Sequence, residues 1–139
     1  MNTVPKVIHG TLGVWHALAA LQNAADVLAT SGIAPALRPV ASKNVALIGE
    51  LVKPLHLTQR TIATLVIGVC IVEAVSGAAF LRAARGEGRS EFGFGLSLAL
   101  FGAFFLIDDA LDNYDLGAKH RAIFALLAAS YVACGVTRG

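Results

Sequence analysis

Residues 61–81 read TIATLVIGVCIVEAVSGAAFL, an apolar run in which Glu73 is the only charge. An α-helix rises about 1.5 Å per residue, so roughly 20 residues cross the ~30 Å hydrocarbon core of a bilayer. The run is long enough and reads as a transmembrane helix. Further apolar stretches follow on both sides of it, at about 7–30, 92–111 and 120–137. The first contains His9, His16, Gln22, Asn23 and Asp26, the third closes on Asp108 and Asp109, and the fourth opens on His120 and Arg121. With short second and third connections, four such spans predict an all-α, integral membrane four-helix bundle of up-down-up-down topology, a single transmembrane domain over residues 1–139.

Composition agrees with that reading. Of 139 residues, 56% are hydrophobic and 14% charged, and the mean hydropathy is +0.70. A water-soluble domain carries roughly a quarter charged residues, so this chain lacks the polar surface to cover a packed core. Its eleven Lys and Arg are scattered, the net charge is only +2, and no basic run exists to track phosphate, which disfavours nucleic acid as a partner. Cys70 and Cys134 stand alone in apolar surroundings and read as small buried hydrophobes. Before the first span Lys6 is the only basic side chain, and no short apolar core is followed by a small-residue cleavage site, so the first span is expected to be retained.

Between the first two spans the pattern changes. Over residues 42–53, Val45, Ile48, Leu51 and Val52 recur at helical spacing while Lys43, Glu50 and Lys53 point elsewhere. This predicts an amphipathic helix capped by Ser42 and ended by Pro54, lying along the membrane surface, over the bundle mouth or against a partner. Ser31, Gly32, Pro35 and Pro39 make the linker before it. Orientation is weakly encoded: Lys6, Arg82, Arg85, Arg89 and Arg138 share one side, and Arg38, Lys43, Lys53, Arg60, Lys119 and Arg121 the other. Three arginines in one short loop favour termini on the cytoplasmic or matrix side of a bacterial cytoplasmic or organelle membrane.

Ionisable groups inside a span are costly, so each is a functional candidate whose partner must be named. His9, His16 and Asn23 form one stripe that should face the bundle, and His16 and Glu73 sit at similar depth in antiparallel helices. A His16–Glu73 hydrogen bond is expected, either as glue between two helices or as a proton or ligand site. A second group, Asp26, Arg60, Asp108, Asp109, Asp112, Lys119, His120 and Arg121, collects at one membrane face. Asp108, Asp112 and Asp115 would share a stripe if the third helix continued, either holding a hard cation or forming a salt-bridge cap with Arg60, Lys119 and Arg121. Asp108, Asp109 and Asp112 also match the DDxxD pattern of isoprenoid synthases, but no second acidic motif accompanies it. Two histidines on different helices at matching depth are lacking for His16, which disfavours haem within one subunit. Gly68, Ser76 and Gly77 on the second span, with Gly95, Ala99, Gly102 and Ala103 on the third, are positions for close helix approach. Phe101, Phe104 and Phe105 are expected to face outward, and Trp15 to pack in the bundle or on a partner.

Gln22-Asn23 late in the first span, the run Leu57-Thr58-Gln59-Arg60-Thr61 opening the second and Asp108 closing the third resemble the small four-helix membrane scaffold family of ergosterol biosynthesis. That resemblance implies a protein that tethers membrane enzymes to one another and has no catalytic residues to carry over. The residues themselves offer no nucleophile with its base and no phosphate loop. The expectation is a non-catalytic accessory or scaffold subunit of a larger membrane complex, such as an energy-converting assembly, with membrane lipids and other subunits as partners, no metal, and no cofactor beyond a bound lipid. A small proton-coupled transporter using His16 and Glu73 is the alternative, and a lipid-, quinone- or cofactor-binding membrane protein a further one.

Overall fold

A computed structural model describes residues 3–136, and over them the chain is all-helical. Helix α1 spans Thr3–Thr30, α2 Asn44–Leu51, α3 Gln59–Arg85, α4 Glu91–Ala110 and α5 Tyr114–Val136, with short 3-10 helices at Pro35–Val40 and Lys53–Leu55. The ends follow local chemistry. Thr58 caps α3 by accepting from the Thr61 amide at 3.2 Å, and Gly86 ends it at φ 81°, a left-handed conformation that glycine adopts without strain. Arg82 and Arg85 lie in its last turn, where positive charge suits the helix dipole. Pro54 sits in the 3-10 turn just after α2.

The cap of α2 differs from the expected one. Lys43 occupies the cap position at φ 67° with no side-chain capping bond, and Ser42 Oγ accepts only from the Asn44 amide at 3.2 Å. Asp26 of α1 accepts instead from the Val45 amide at 2.7 Å. A carboxylate on a neighbouring helix thus satisfies an orphan donor at the α2 N-terminus, and α2 is tied to α1 rather than free to lie apart from it.

Sequence neighbours among the long helices run antiparallel, α1 against α3, α3 against α4 and α4 against α5. Glycine sets the α1–α3 separation: a Cβ at Gly77 would lie 3.1 Å from both the Ala17 nitrogen and the Gly13 oxygen, and one at Gly13 would meet Leu81 Cγ at 2.7 Å. Of the other glycines expected at close approaches, Gly102 faces Phe124, whereas Gly68 and Gly95 have open space beside them. Leu12, Phe80, Phe94, Phe101, Leu127 and Cys134 form the main core, and Val45, Val52, Ile62 and Val66 a second one under α2.

Several polar side chains are buried and several large apolar ones are exposed. His9, His16, Asn23, Glu73, Ser76, Ser97 and Asp108 are buried, while Val7, Leu18, Leu21, Ile71, Phe92, Leu106, Leu126 and Val132 are exposed. Among the described residues α3 and α4 are the helices long and apolar enough to cross a membrane. The four spans read from the sequence therefore reduce to two by this measure. Helix α1 dilutes its apolar residues with His9, His16, Gln22 and Asn23, and α5 begins with Asp115, Lys119, His120 and Arg121.

Candidate functional site

All five α-helices meet around a partly open cavity of about 140 Å³. Asn23 of α1, Asn44 of α2, Glu73 of α3, Asp108 of α4 and His120 of α5 supply its polar wall. The rest is apolar: Leu47, Ile48 and Leu51 from α2, Val66 and Val69 from α3, Phe101, Phe104 and Ile107 from α4, and Leu116 from α5. Convergent polar groups in a mostly apolar hollow are the usual make-up of a small-molecule site.

One network orients the polar wall. Asn23 Nδ2 donates to Glu73 Oε2 at 2.7 Å, and Asn23 Oδ1 accepts from Ser42 Oγ at 2.8 Å and from Asn44 Nδ2 at 2.7 Å. Ser42 Oγ also lies 3.3 Å from Asp26 Oδ2. Its hydroxyl hydrogen is shared between those two acceptors, while the Asn44 bond fixes the Asn23 amide with its oxygen towards α2 and its nitrogen towards Glu73. At the other end of the cavity His120 Nδ1 and Asp108 Oδ2 form a bond between a half-buried ring and a buried carboxylate. The Phe104 ring lies 5.0 Å from the His120 ring.

The expected His16–Glu73 bond is not formed. Gly77 packs on Ala17 and the His16 Cβ, so His16 lies level with Gly77, while Glu73 is one helical turn away and meets Asn23 instead. His16 Nε2 bonds to Ser97 Oγ at 2.8 Å, and its ring stacks on Phe80 with centroids 5.8 Å apart. Ser97 in turn donates to the Gly93 carbonyl at 2.8 Å, so its oxygen is left to accept from His16 Nε2. His16 therefore belongs to the core between α1 and α4 and does not line the cavity.

The charged face divides into separate contacts. Arg121 pairs with Asp109 at 2.6 Å, both side chains largely open to solvent. Arg60 is exposed beside Thr30 and Gln59 and forms no ion pair among the described residues. The Asp108–Asp112–Asp115 stripe is broken because α4 stops at Ala110 and Asp112 turns to φ 55°. Asp112 accepts from the Tyr114 hydroxyl at 3.0 Å. That bond, with the negative charge of Asp112 itself and a smaller contribution from Asp109, holds the Tyr114 phenol above its ordinary pKa. Phe101 is a further correction: it is buried, stacked on Trp15 at 5.6 Å, and does not face outward.

Sequence reasoning placed Glu73 at mid-span and Asp108 with His120 at one face as unrelated groups, whereas a single cavity joins them. Asn44 was missed altogether. Its signal was the offset from Asn23, since a polar residue at the start of an otherwise apolar helix can reach the last turns of the helix before it. No family model, curated protein or solved structure matches the chain.

Proposed function

We propose that the chain is a multi-pass membrane protein, a four-helix bundle with α2 as its interfacial element, and that it binds a small amphipathic molecule without catalysing its conversion. The cavity carries this reading, because it combines an apolar wall with five convergent polar side chains on helices whose outward sides are apolar. Buried ionisable groups in a bilayer are costly and mark ligand or ion sites. Asp108 and His120 line the cavity as a bonded carboxylate–histidine pair, but no hydroxyl or thiol stands beside them to be activated, and the reading is therefore of binding rather than turnover. Native mass measurement of the protein in nanodiscs tests the reading. A small molecule should be retained or taken up one to one by the wild type and lost from Val69→Phe, whose ring fills the cavity. A panel of amphipathic molecules none of which binds would remove the reading.

A second reading, an accessory or scaffold subunit within a larger membrane complex, is favoured by a different observation. Val7, Val14, Leu18 and Leu21 leave one side of α1 uncovered, and Trp15 remains partly exposed beside it. The resemblance to the ergosterol scaffold family points the same way. Gentle detergent extraction followed by mass determination decides it: a stoichiometric partner supports a subunit role, and a lone chain under every condition rejects it.

A further inference from the structure

The cavity wall has a sign. Glu73 and Asp108 line it, and no lysine or arginine does. Glu73 is 6% exposed, Asn23 occupies only its Oε2, and among the described residues no donor reaches Oε1. An ionised carboxylate accepts hydrogen bonds and donates none, so this oxygen suits a donor, and a charged donor most strongly. Asp108 already has His120 as its partner, which leaves Glu73 as the carboxyl group of the wall without a basic side chain beside it. Phe101 and Phe104 are part of the same lining, and aromatic rings attract cations placed over them within ~6 Å.

A metal ion suits the site less well. No three His, Cys, Asp or Glu among the described residues gather closely enough to hold one, and Leu47, Ile48 and Val69 offer no oxygen to replace a hydration shell. Size is also constrained. About 140 Å³ is close to the ~150 Å³ of an apolar cavity that takes benzene.

We propose that the cavity is a site for a small organic cation, an ammonium group on a compact apolar body, with Glu73 as counter-ion and Phe101 and Phe104 as aromatic wall. The proposal rests on the small-molecule reading above and adds the charge and size of the ligand.

Calorimetry on the full chain in nanodiscs, with benzylammonium, benzyl alcohol and benzoate as probes of one shape and three charges, tests it. Benzylammonium should bind at least about tenfold more tightly than benzyl alcohol, the difference expected of one charge-assisted hydrogen bond, and benzoate should not bind. Glu73→Gln keeps an acceptor for Asn23 and should remove most of the benzylammonium preference while leaving benzyl alcohol binding unchanged. Equal binding of alcohol and ammonium, abolished by Val69→Phe, overturns the cation proposal and leaves the small-molecule reading standing. Failure of all three probes to bind the wild type counts against both. The comparison of probes needs no variant, so a poorly folding Glu73→Gln does not blunt it.

Discussion

Asn23 holds Glu73 from across the bundle, its amide donating at 2.7 Å between residues fifty positions apart in the chain. Both side chains are buried, so their bond is largely shielded from bulk water. Asn23→Leu should leave the Glu73 carboxylate unsatisfied and cost about 1–3 kcal/mol, read as a lower unfolding temperature in detergent. Asn23→Asp should cost more, because it sets a second carboxylate against the first.

Gly77 predicts a steric result. A Cβ there meets backbone atoms of α1 at 3.1 Å, and backbone cannot rotate away as a side chain can. Gly77→Val should separate α1 from α3 and destabilise by about 1–3 kcal/mol. Gly68→Ala has open space beside it and should be neutral or stabilising by up to about 1 kcal/mol. Parallel melting curves of the two variants check the contrast, and equal losses would contradict the packing described.

The two polar contacts between α4 and α5, Asp108–His120 and Asp109–Arg121, should differ in worth. Asp108 is 1% exposed and its partner His120 18%, while Asp109 and Arg121 are 41% and 44% exposed. His120→Ala strands a buried carboxylate and should cost about 1–3 kcal/mol. Arg121→Ala breaks a solvent-screened pair and should cost under about 1 kcal/mol, less at high salt. Denaturation of both variants at two ionic strengths separates the cases.

Tyr114 supplies a pH observable outside the bundle. Ionising the phenol removes its hydrogen bond to Asp112 and places two negative charges together, so its titration lies above that of an ordinary tyrosine. Asp112→Asn keeps a residue tolerant of positive φ and should move that titration down towards the ordinary value. Ultraviolet phenolate absorbance reads it, with Tyr114→Phe identifying the transition.

The long helices were legible because their signal is local. Glu73 interrupts an apolar run without ending it, and His9, His16 and Asn23 repeat at a spacing that puts them on one face. Pairing across helices was not legible. The choice between His16 and Asn23 as partner for Glu73 depends on where α1 and α3 sit along each other, and Gly13 and Gly77 decide that by close contact rather than by pattern. Termination failed for a similar reason. Asp112 would continue an acidic stripe by spacing, yet a left-handed residue there turns the chain before the stripe forms. The Asp26 cap of α2 was out of reach because capping rules look a few residues along the chain, and this cap arrives from nineteen residues away.

Ser42 and Asn44 stand at the edge of the bundle, Glu73 stands inside it, and a single amide, that of Asn23, touches all three. The amide cannot reverse without facing its nitrogen towards a donor on one side and its oxygen towards an acceptor on the other. Outer segment and inner carboxyl are thus joined through one side chain, nineteen residues before Ser42 and fifty before Glu73.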